Sequence, residues 1–128
     1  MTTTLQSLAL DRWVEPTGSL ADIAGAVDGR IIARVSSAGL DFAAMVRHAR
    51  EVGGRGLRQV SFHQRADRLR AVAAYLGERK EPLYKLAGDT GANRRDNAID
   101  IEGGIGALSA YASRGRRDLP DAKFVVEG

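Results

Sequence analysis

The stretch DNAIDIEGGIGALSAYA, from Asp96 to Ala112, decides the fold because it combines helical apolar spacing with glycines at 103, 104 and 106. One interpretation is a nucleotide-binding loop. Gly104, Gly106 and Ser109 follow the spacing of the dinucleotide fingerprint G-x-G-x-x-G, with serine in its last position. The alternating residues 98–101 would then form the strand that the fingerprint requires.

The other interpretation is a helix that tolerates glycine. Apolar residues recur at spacings of four, three and four, which places them on one helical face and does not suit a strand. These residues are Ile101, Ile105, Leu108 and Ala112. Three interior glycines would cost such a helix about 3 kcal/mol, at roughly 1 kcal/mol each relative to alanine. We therefore expect other contacts to compensate for them.

The composition predicts one globular domain, or part of one. The chain has 128 residues, of which 44% are hydrophobic and 27% charged, so it can bury a core. The N-terminus has neither an early positive charge nor a long apolar run, and we expect a cytoplasmic protein with no signal peptide and no membrane partner. The absence of cysteine excludes disulfides, thiolate metal sites and a cysteine nucleophile within these residues.

The net charge of +3 raises the question of a nucleic-acid partner. The arginines alternate with acidic residues along predicted helices, and no aromatic residues lie between them to stack on bases. A solvated surface explains this pattern better, so we expect no nucleic-acid partner.

The chain divides into a β-hairpin at about 20–37 and helices at about 40–118. Asp28-Gly29 is typical of a two-residue hairpin turn, in which both positions have positive φ. The first helix should end at Gly53-Gly54, where glycine can form a left-handed cap. Ser61 and Gln64 form a capping box, which predicts a second helix from Ser61 to about Glu78.

Further helix signals follow. Pro82 suits the first turn of a segment that ends at Gly91, and Asn93 is a suitable N-cap for the helix that contains the opening stretch. After it, Pro120-Asp121 predicts a turn that leads into an extended run at 124–126.

Residues with catalytic chemistry are scarce. His48 and His63 lie on different predicted helices without a partner at ligand spacing, which indicates surface or helix-end positions. Asp100 and Glu102 point to different sides of a helix, and Ser36 precedes a helix as a capping or turn residue. We predict no catalytic residue, no cofactor-binding residue and no metal ligand in this chain, and no cofactor bound to it.

Several segments resemble the N-terminal part of aldehyde dehydrogenases. They are RWVEP (12–16), RVSSAGLDF (34–42), DTGA (89–92) and DIEGGIGAL (100–108). More narrowly, they look like the branch of phenylacetate degradation, which fuses an aldehyde dehydrogenase to a ring-opening hydratase, and like the semialdehyde dehydrogenases of benzoyl-CoA degradation. Ordinary members usually have lysine where this chain has Ala92, which favours the narrower branch.

The resemblance implies oxidation of a coenzyme A-linked aldehyde with NADP. In that mechanism a cysteine thiolate adds to the aldehyde, hydride leaves for the nicotinamide, and a glutamate activates the water that hydrolyses the thioacyl enzyme. Since the chain has no cysteine, residues 1–128 would be the N-terminal portion of the cofactor-binding domain of a homo-oligomeric enzyme, inactive alone. The alternative is a stand-alone helical interaction module without catalysis.

The resemblance also implies an incomplete α/β domain: a hairpin, then helices that cover one side of a sheet supplied by other sequence. Residues facing inward would be Leu69, Leu76, Ile101 and Ile105, with much apolar surface uncovered. By resemblance, the last helix lines the substrate tunnel with Asp100, Gly103, Gly104 and Ala107. The competing explanation of these glycines is that they let two helices approach closely.

Overall fold

The computed structural model describes residues 2–126, and the described part of the chain contains short strands followed by helices. The strands are β1 (Thr3–Thr4), β2 (Ser7–Ala9), β3 (Arg12–Val14), β4 (Ala21–Ala24) and β5 (Ile31–Val35). The α-helices are α1 (Phe42–His48), α2 (Gly54–Arg58), α3 (Phe62–Gly77), α4 (Lys80–Gly88) and α5 (Arg94–Asp118). They form two compact units, one comprising the chain up to residue 53 with 89–91, the other 54–88 with the residues from 92 onward.

The first unit contains the predicted hairpin. Strands β4 and β5 pair antiparallel, with Asp22 opposite Arg34, and these two side chains form an ion pair at 2.8 Å. The sheet order is β1-β5-β4, since β1 adds in parallel to the other edge of β5. This parallel pairing joins segments about thirty residues apart, and no local pattern predicts it.

The predicted two-residue turn at Asp28-Gly29 is wrong. Gly29 has a φ of 70°, but Asp28 does not adopt the left-handed conformation that the turn requires at both positions. Instead, the Asp28 carboxylate accepts a hydrogen bond from the Arg30 amide at 3.1 Å. The loop closes more widely, with the Gly25 amide donating to the Arg30 carbonyl at 2.8 Å. An aspartate that hydrogen-bonds two residues ahead keeps an ordinary φ, which explains the difference.

A second hairpin, β2-β3, was not predicted. Its connecting residues Leu10 and Asp11 have φ values of 53° and 60°, the left-handed pair typical of a type I′ turn. Asparagine and glycine usually occupy such positions, so the sequence gives no signal for this turn. The Asp11 carboxylate lies 3.0 Å from Nε2 of His48, at the end of α1.

The predicted end of the first helix at Gly53-Gly54 is also wrong. Helix α1 begins after Asp41, whose carboxylate accepts from the Ala44 amide at 2.9 Å. It is followed by a π-helical segment, Ala49–Gly53, and then directly by α2. Neither Gly53 nor Gly54 has a positive φ. The wider π turn continues the helical backbone through these glycines, so no left-handed cap forms there.

The second unit consists of α3, α4 and α5, and its helix starts confirm the predicted caps. Ser61 and Gln64 form both hydrogen bonds of the capping box, and α3 ends with Glu78 as its C-cap. The Asn93 side chain accepts from the amides of Arg95 and Asp96 at the start of α5. Helix α4 starts two residues before Pro82 and ends at Gly88, three residues earlier than predicted.

Helices α3 and α5 pack antiparallel. Arg116, near the end of α5, contacts Asp67, near the start of α3, at 2.7 Å. The buried residues of this packing are small: Ala66 and Ala73 from α3, and Ala112 from α5. The predicted inward residues Leu69, Leu76, Ile101 and Ile105 are half-buried. The apolar stripe on α5 therefore faces its neighbouring helices, and its packing against a sheet supplied by other sequence stays a prediction.

Much apolar surface remains uncovered in residues 2–126. Exposed large apolar side chains occur in both units: Phe42 (58%), Val46, Val52, Val72, Leu86, Ile99, Tyr111 and Phe124. No large side chain among the described residues is fully buried. The described residues thus combine small sheets with helices, which confirms the expected α/β class. No helix within residues 2–126 is long and apolar enough to cross a membrane.

The segment after α5 turns at Pro120, whose carbonyl accepts from the Ala122 amide at 2.8 Å. It then contacts the start of α3, since Phe62 donates its amide hydrogen to the Ala122 carbonyl at 2.9 Å. The predicted extended run at 124–126 forms no strand with any other described residue.

Replacement of Ser61 by alanine should destabilise the second unit by about 1 kcal/mol, because it removes the acceptor of the Gln64 amide at the α3 N-terminus. The measurement is the free energy of unfolding from urea titration. Ser109→Ala is the matched control. Its hydroxyl only bonds back to the Ile105 carbonyl within α5, so this change should not lower stability. Equal losses in both variants would contradict the capping role.

Candidate functional site

The outer face of α5 carries the four predicted tunnel residues. Asp100, Gly103, Gly104 and Ala107 are all exposed, whereas the apolar stripe of the same helix is half-buried or buried. Their spacings of three and four place them together, away from α3 and α4. The structure thus brings these residues onto one exposed face of α5.

The fingerprint interpretation of the glycines is wrong. Gly104 and Gly106 lie in the interior of α5, and neither has a positive φ. Amides inside a helix donate to the preceding turn, so they are not available to bind a phosphate. The pyrophosphate of a dinucleotide therefore does not fit this motif.

Close approach to another described helix does not explain these glycines. A Cβ placed on Gly103, Gly104 or Gly106 would meet no described atom within 4 Å beyond the local backbone of α5 itself. Close approach occurs instead at Gly115, where a Cβ would lie 3.3 Å from the Cβ of Ala66. Gly115 follows Ala112 at a spacing of three, so it continues the apolar stripe. This spacing is the sequence signal for close packing at Gly115, and our sequence interpretation missed it.

Two surface pockets lie beside α5 within the second unit. One, of ≈ 310 Å³, is bordered by Ala107, Ala110, Tyr111 and Arg114, all on the outer face of α5. The other, of ≈ 330 Å³, lies between α4 and the start of α5, where Asn97 is 4% exposed and donates to the Ala92 carbonyl at 3.3 Å. Only the first includes a predicted tunnel residue, Ala107.

A three-residue cluster, which we call the Glu102 clamp, connects α4 to α5. One carboxylate oxygen of Glu102 accepts from the Tyr84 hydroxyl at 2.6 Å and from Nζ of Lys80 at 3.1 Å. The hydrogen bond from Tyr84 makes the largest contribution to lowering the pKa of Glu102, and the contact with Lys80 makes the next largest. The hydrogen bond to Glu102 in turn raises the pKa of Lys80 and of Tyr84. No local pattern indicates the clamp, because its members are 18 and 22 residues apart.

The clamp should stabilise the chain over a defined pH window. Because the pKa of Glu102 is lowered on folding, its contribution is present above the ordinary glutamate value and is lost as the pH falls through the lowered one. The raised pKa values of Lys80 and Tyr84 make their contributions complete below their ordinary values and lost at higher pH. The window therefore runs from about pH 5 to about pH 10.

The expected result is a stability difference between the parent and Glu102→Gln that is constant inside this window and shrinks outside it. Glu102 is exposed and Lys80 and Tyr84 are only half-buried, so the difference should be small and should also decrease with added salt. Urea titrations across the pH range provide the measurement. A difference that persists unchanged at pH 3 would show that the carboxylate charge does not contribute.

The other polar candidates have structural roles. The Ser36 hydroxyl accepts from the Ala38 amide at 3.1 Å, as expected of a turn residue. His63 places Nε2 2.9 Å from the Leu119 carbonyl, and Ser61 donates to Asp121, so both hold the segment after α5. Within residues 2–126, no three histidine, aspartate or glutamate side chains are arranged to hold a metal ion.

Comparison with known proteins gives a consistent picture. Residues 13–126 match the sequence model of the aldehyde dehydrogenase family. The chain is also 30% identical over 125 residues to a 3,4-dehydroadipyl-CoA semialdehyde dehydrogenase from Aromatoleum evansii. That alignment covers 97% of the chain and 24% of the relative, so the chain spans about a quarter of the relative's length. These matches confirm the resemblance that the sequence motifs indicated.

Proposed function

The chain belongs to the aldehyde dehydrogenase family, and from this premise we propose that it is the N-terminal part of an enzyme that oxidises a coenzyme A-linked semialdehyde in the degradation of an aromatic acid. The support for the substrate is the relative, whose name specifies a CoA semialdehyde. Degradation of phenylacetate, with a fused hydratase, is the narrower form of this proposal and is supported by the motif DIEGGIGAL and by Ala92.

The structural support for this proposal comes from the residues of α5. We assign the outer face of α5 to one wall of the tunnel through which the aldehyde reaches the catalytic centre. Gly103 and Gly104 lack side chains at positions with no neighbour within 4 Å among the described residues. A wall without side chains admits a wider substrate than one carrying leucine or methionine, and this gain would offset a helix cost of about 2 kcal/mol for the two glycines.

The catalytic groups of this proposal lie elsewhere in the protein. The 128 residues contain no cysteine to add to the aldehyde, and the glycines of α5 offer no phosphate loop. The hydride acceptor is a pyridine nucleotide, which we propose to be NADP. We assign residues 1–128 to the cofactor-binding domain by family resemblance, and propose on the same basis that the intact enzyme is a cytoplasmic homo-oligomer.

Steady-state kinetics of the intact enzyme test this function. We expect a higher kcat/KM for a CoA-linked semialdehyde than for the corresponding free semialdehyde, and a higher kcat/KM with NADP than with NAD. Equal values for the two aldehydes would refute the CoA-linked substrate, and preference for NAD would refute the cofactor assignment alone. An intact protein without dehydrogenase activity, but with a specific protein partner for α3–α5, would favour the interaction module instead.

A further inference from the structure

The three glycines of α5 have no tertiary packing on their own side of the helix. Gly103, Gly104 and Gly106 are exposed, and no atom of another described element lies near them. Glycine also leaves the backbone more conformational freedom than alanine does. The direction in which this segment faces must therefore be fixed by its neighbours along the helix. Ile105, half-buried on the inner side, provides one such contact.

The Glu102 clamp provides a second contact, directly before the first glycine. Its two donors, Lys80 and Tyr84, lie four residues apart on α4 and therefore on one face of that helix. Both reach the same carboxylate oxygen of Glu102. Glu102 is thus held from two points along α4. The remaining charged side chain that acts on the two donors is Glu81, which also lies on α4.

The direction of Glu102 and the direction of the glycines are linked by helix geometry. Successive residues of an α-helix differ by about 100° around its axis. When Glu102 faces α4, Gly103 is turned away from α4 toward the open side, and Ala107 follows it one turn later. A rotation of α5 by one residue would instead bring Glu102 to that side and place a long charged side chain beside the substrate.

We propose that Glu102 is a positioning residue, whose contacts with Lys80 and Tyr84 fix the rotation of α5 so that Gly103 and Ala107 leave room for the coenzyme A-linked aldehyde. This inference rests on the proposed function, because it assumes that the outer face of α5 lines the tunnel. It adds a determinant of specificity that does not itself touch the substrate.

The test is Glu102→Ala in the intact enzyme, assayed with a CoA-linked semialdehyde and with a small free aldehyde. A displacement of 1 Å can reduce a rate roughly a hundredfold. For a smaller displacement of α5 we expect about a tenfold fall in the ratio of the two kcat/KM values. The fall should come mainly from a higher KM for the CoA-linked substrate. Glu102→Gln keeps an acceptor for the Tyr84 hydroxyl and should recover part of the ratio.

Asp67→Asn provides the matched control. It breaks a different ion pair of α5, the one between Arg116 and Asp67 on α3. Arg116 lies about 20 Å along the helix from Gly103, at 1.5 Å per residue. This variant should lose stability in the same way as Glu102→Ala, yet leave the ratio of kcat/KM values unchanged. A purely stabilising role for Glu102 predicts the same behaviour in both variants.

Hydrogen exchange provides a readout that does not depend on activity. We expect the amides of residues 103–107 to exchange faster in Glu102→Ala than in the parent or in Asp67→Asn. Unchanged exchange, an equal loss of activity for both aldehydes, or an altered ratio in Asp67→Asn would each overturn the inference. If Gly103→Leu alters the ratio and Glu102→Ala does not, only this inference fails. If neither variant alters it, the assignment of α5 to the tunnel fails as well.

Discussion

Replacement of Gly103 by leucine in the intact enzyme is expected to reduce kcat/KM for the coenzyme A-linked semialdehyde by roughly 10- to 200-fold, the range that a single methylene group controls in a binding pocket. Turnover of a small aldehyde should change little, because it needs less of the tunnel's width. The reason is geometric: a leucine on the exposed side of α5 would project into space that no described residue occupies.

Stability measurements separate this effect from misfolding. An exposed glycine inside a helix costs about 1 kcal/mol relative to a good helix former, so Gly103→Leu should raise the free energy of unfolding by that amount. The matched control is Gly106→Leu, which gains the same helix propensity about 60° further around the helix. Gly106 is not one of the four predicted tunnel residues. Equal losses of activity in the two variants, or for both aldehydes, would contradict the assignment of Gly103.

Leucine at Gly115 should have the opposite effect on stability. A Cβ there already lies 3.3 Å from Ala66, which is tighter than most contacts, and Ala66 is only 3% exposed. The larger side chain would separate α3 from α5, and overpacking of this kind costs about 1 to 3 kcal/mol. The free energy of unfolding should fall in Gly115→Leu and rise in Gly106→Leu. A gain in both variants would show that the two helices do not pack closely at Gly115.

Local signals in the sequence predict much of the helical unit. The caps at Ser61 and Asn93 and the stripe from Ile101 to Ala112 all depend on residues within one or two turns. The resemblance to aldehyde dehydrogenases also rests on short segments of sequence, and the family match confirms this resemblance.

The features that were missed depend on contacts between distant residues or on subtle backbone geometry. The parallel pairing of β1 with β5 and the Glu102 clamp both require the tertiary arrangement. Asp28-Gly29 and Gly53-Gly54 have the composition of a tight turn and of a helix end. The backbone uses them differently. At Asp28 a side-chain hydrogen bond to the Arg30 amide stabilises a wider loop, and at Gly53 a π turn continues the helix.

The glycines of α5 show how structure narrows the alternatives that sequence leaves open. A phosphate loop, a close helix contact and an open wall are all compatible with Gly103, Gly104 and Gly106 in the sequence. Their position inside α5 excludes the first, and no other helix within residues 2–126 makes the second kind of contact at these glycines. The open wall is the interpretation that our proposal develops.

The most direct test of the central claim is the formation of NADPH from NADP and a coenzyme A-linked semialdehyde, measured in parallel for the 128-residue chain and for the intact enzyme. We predict that the intact enzyme reduces NADP and that the 128-residue chain does not, since it has no cysteine for the aldehyde to react with. Reduction of NADP by the 128-residue chain, or its absence with the intact protein, would contradict the account.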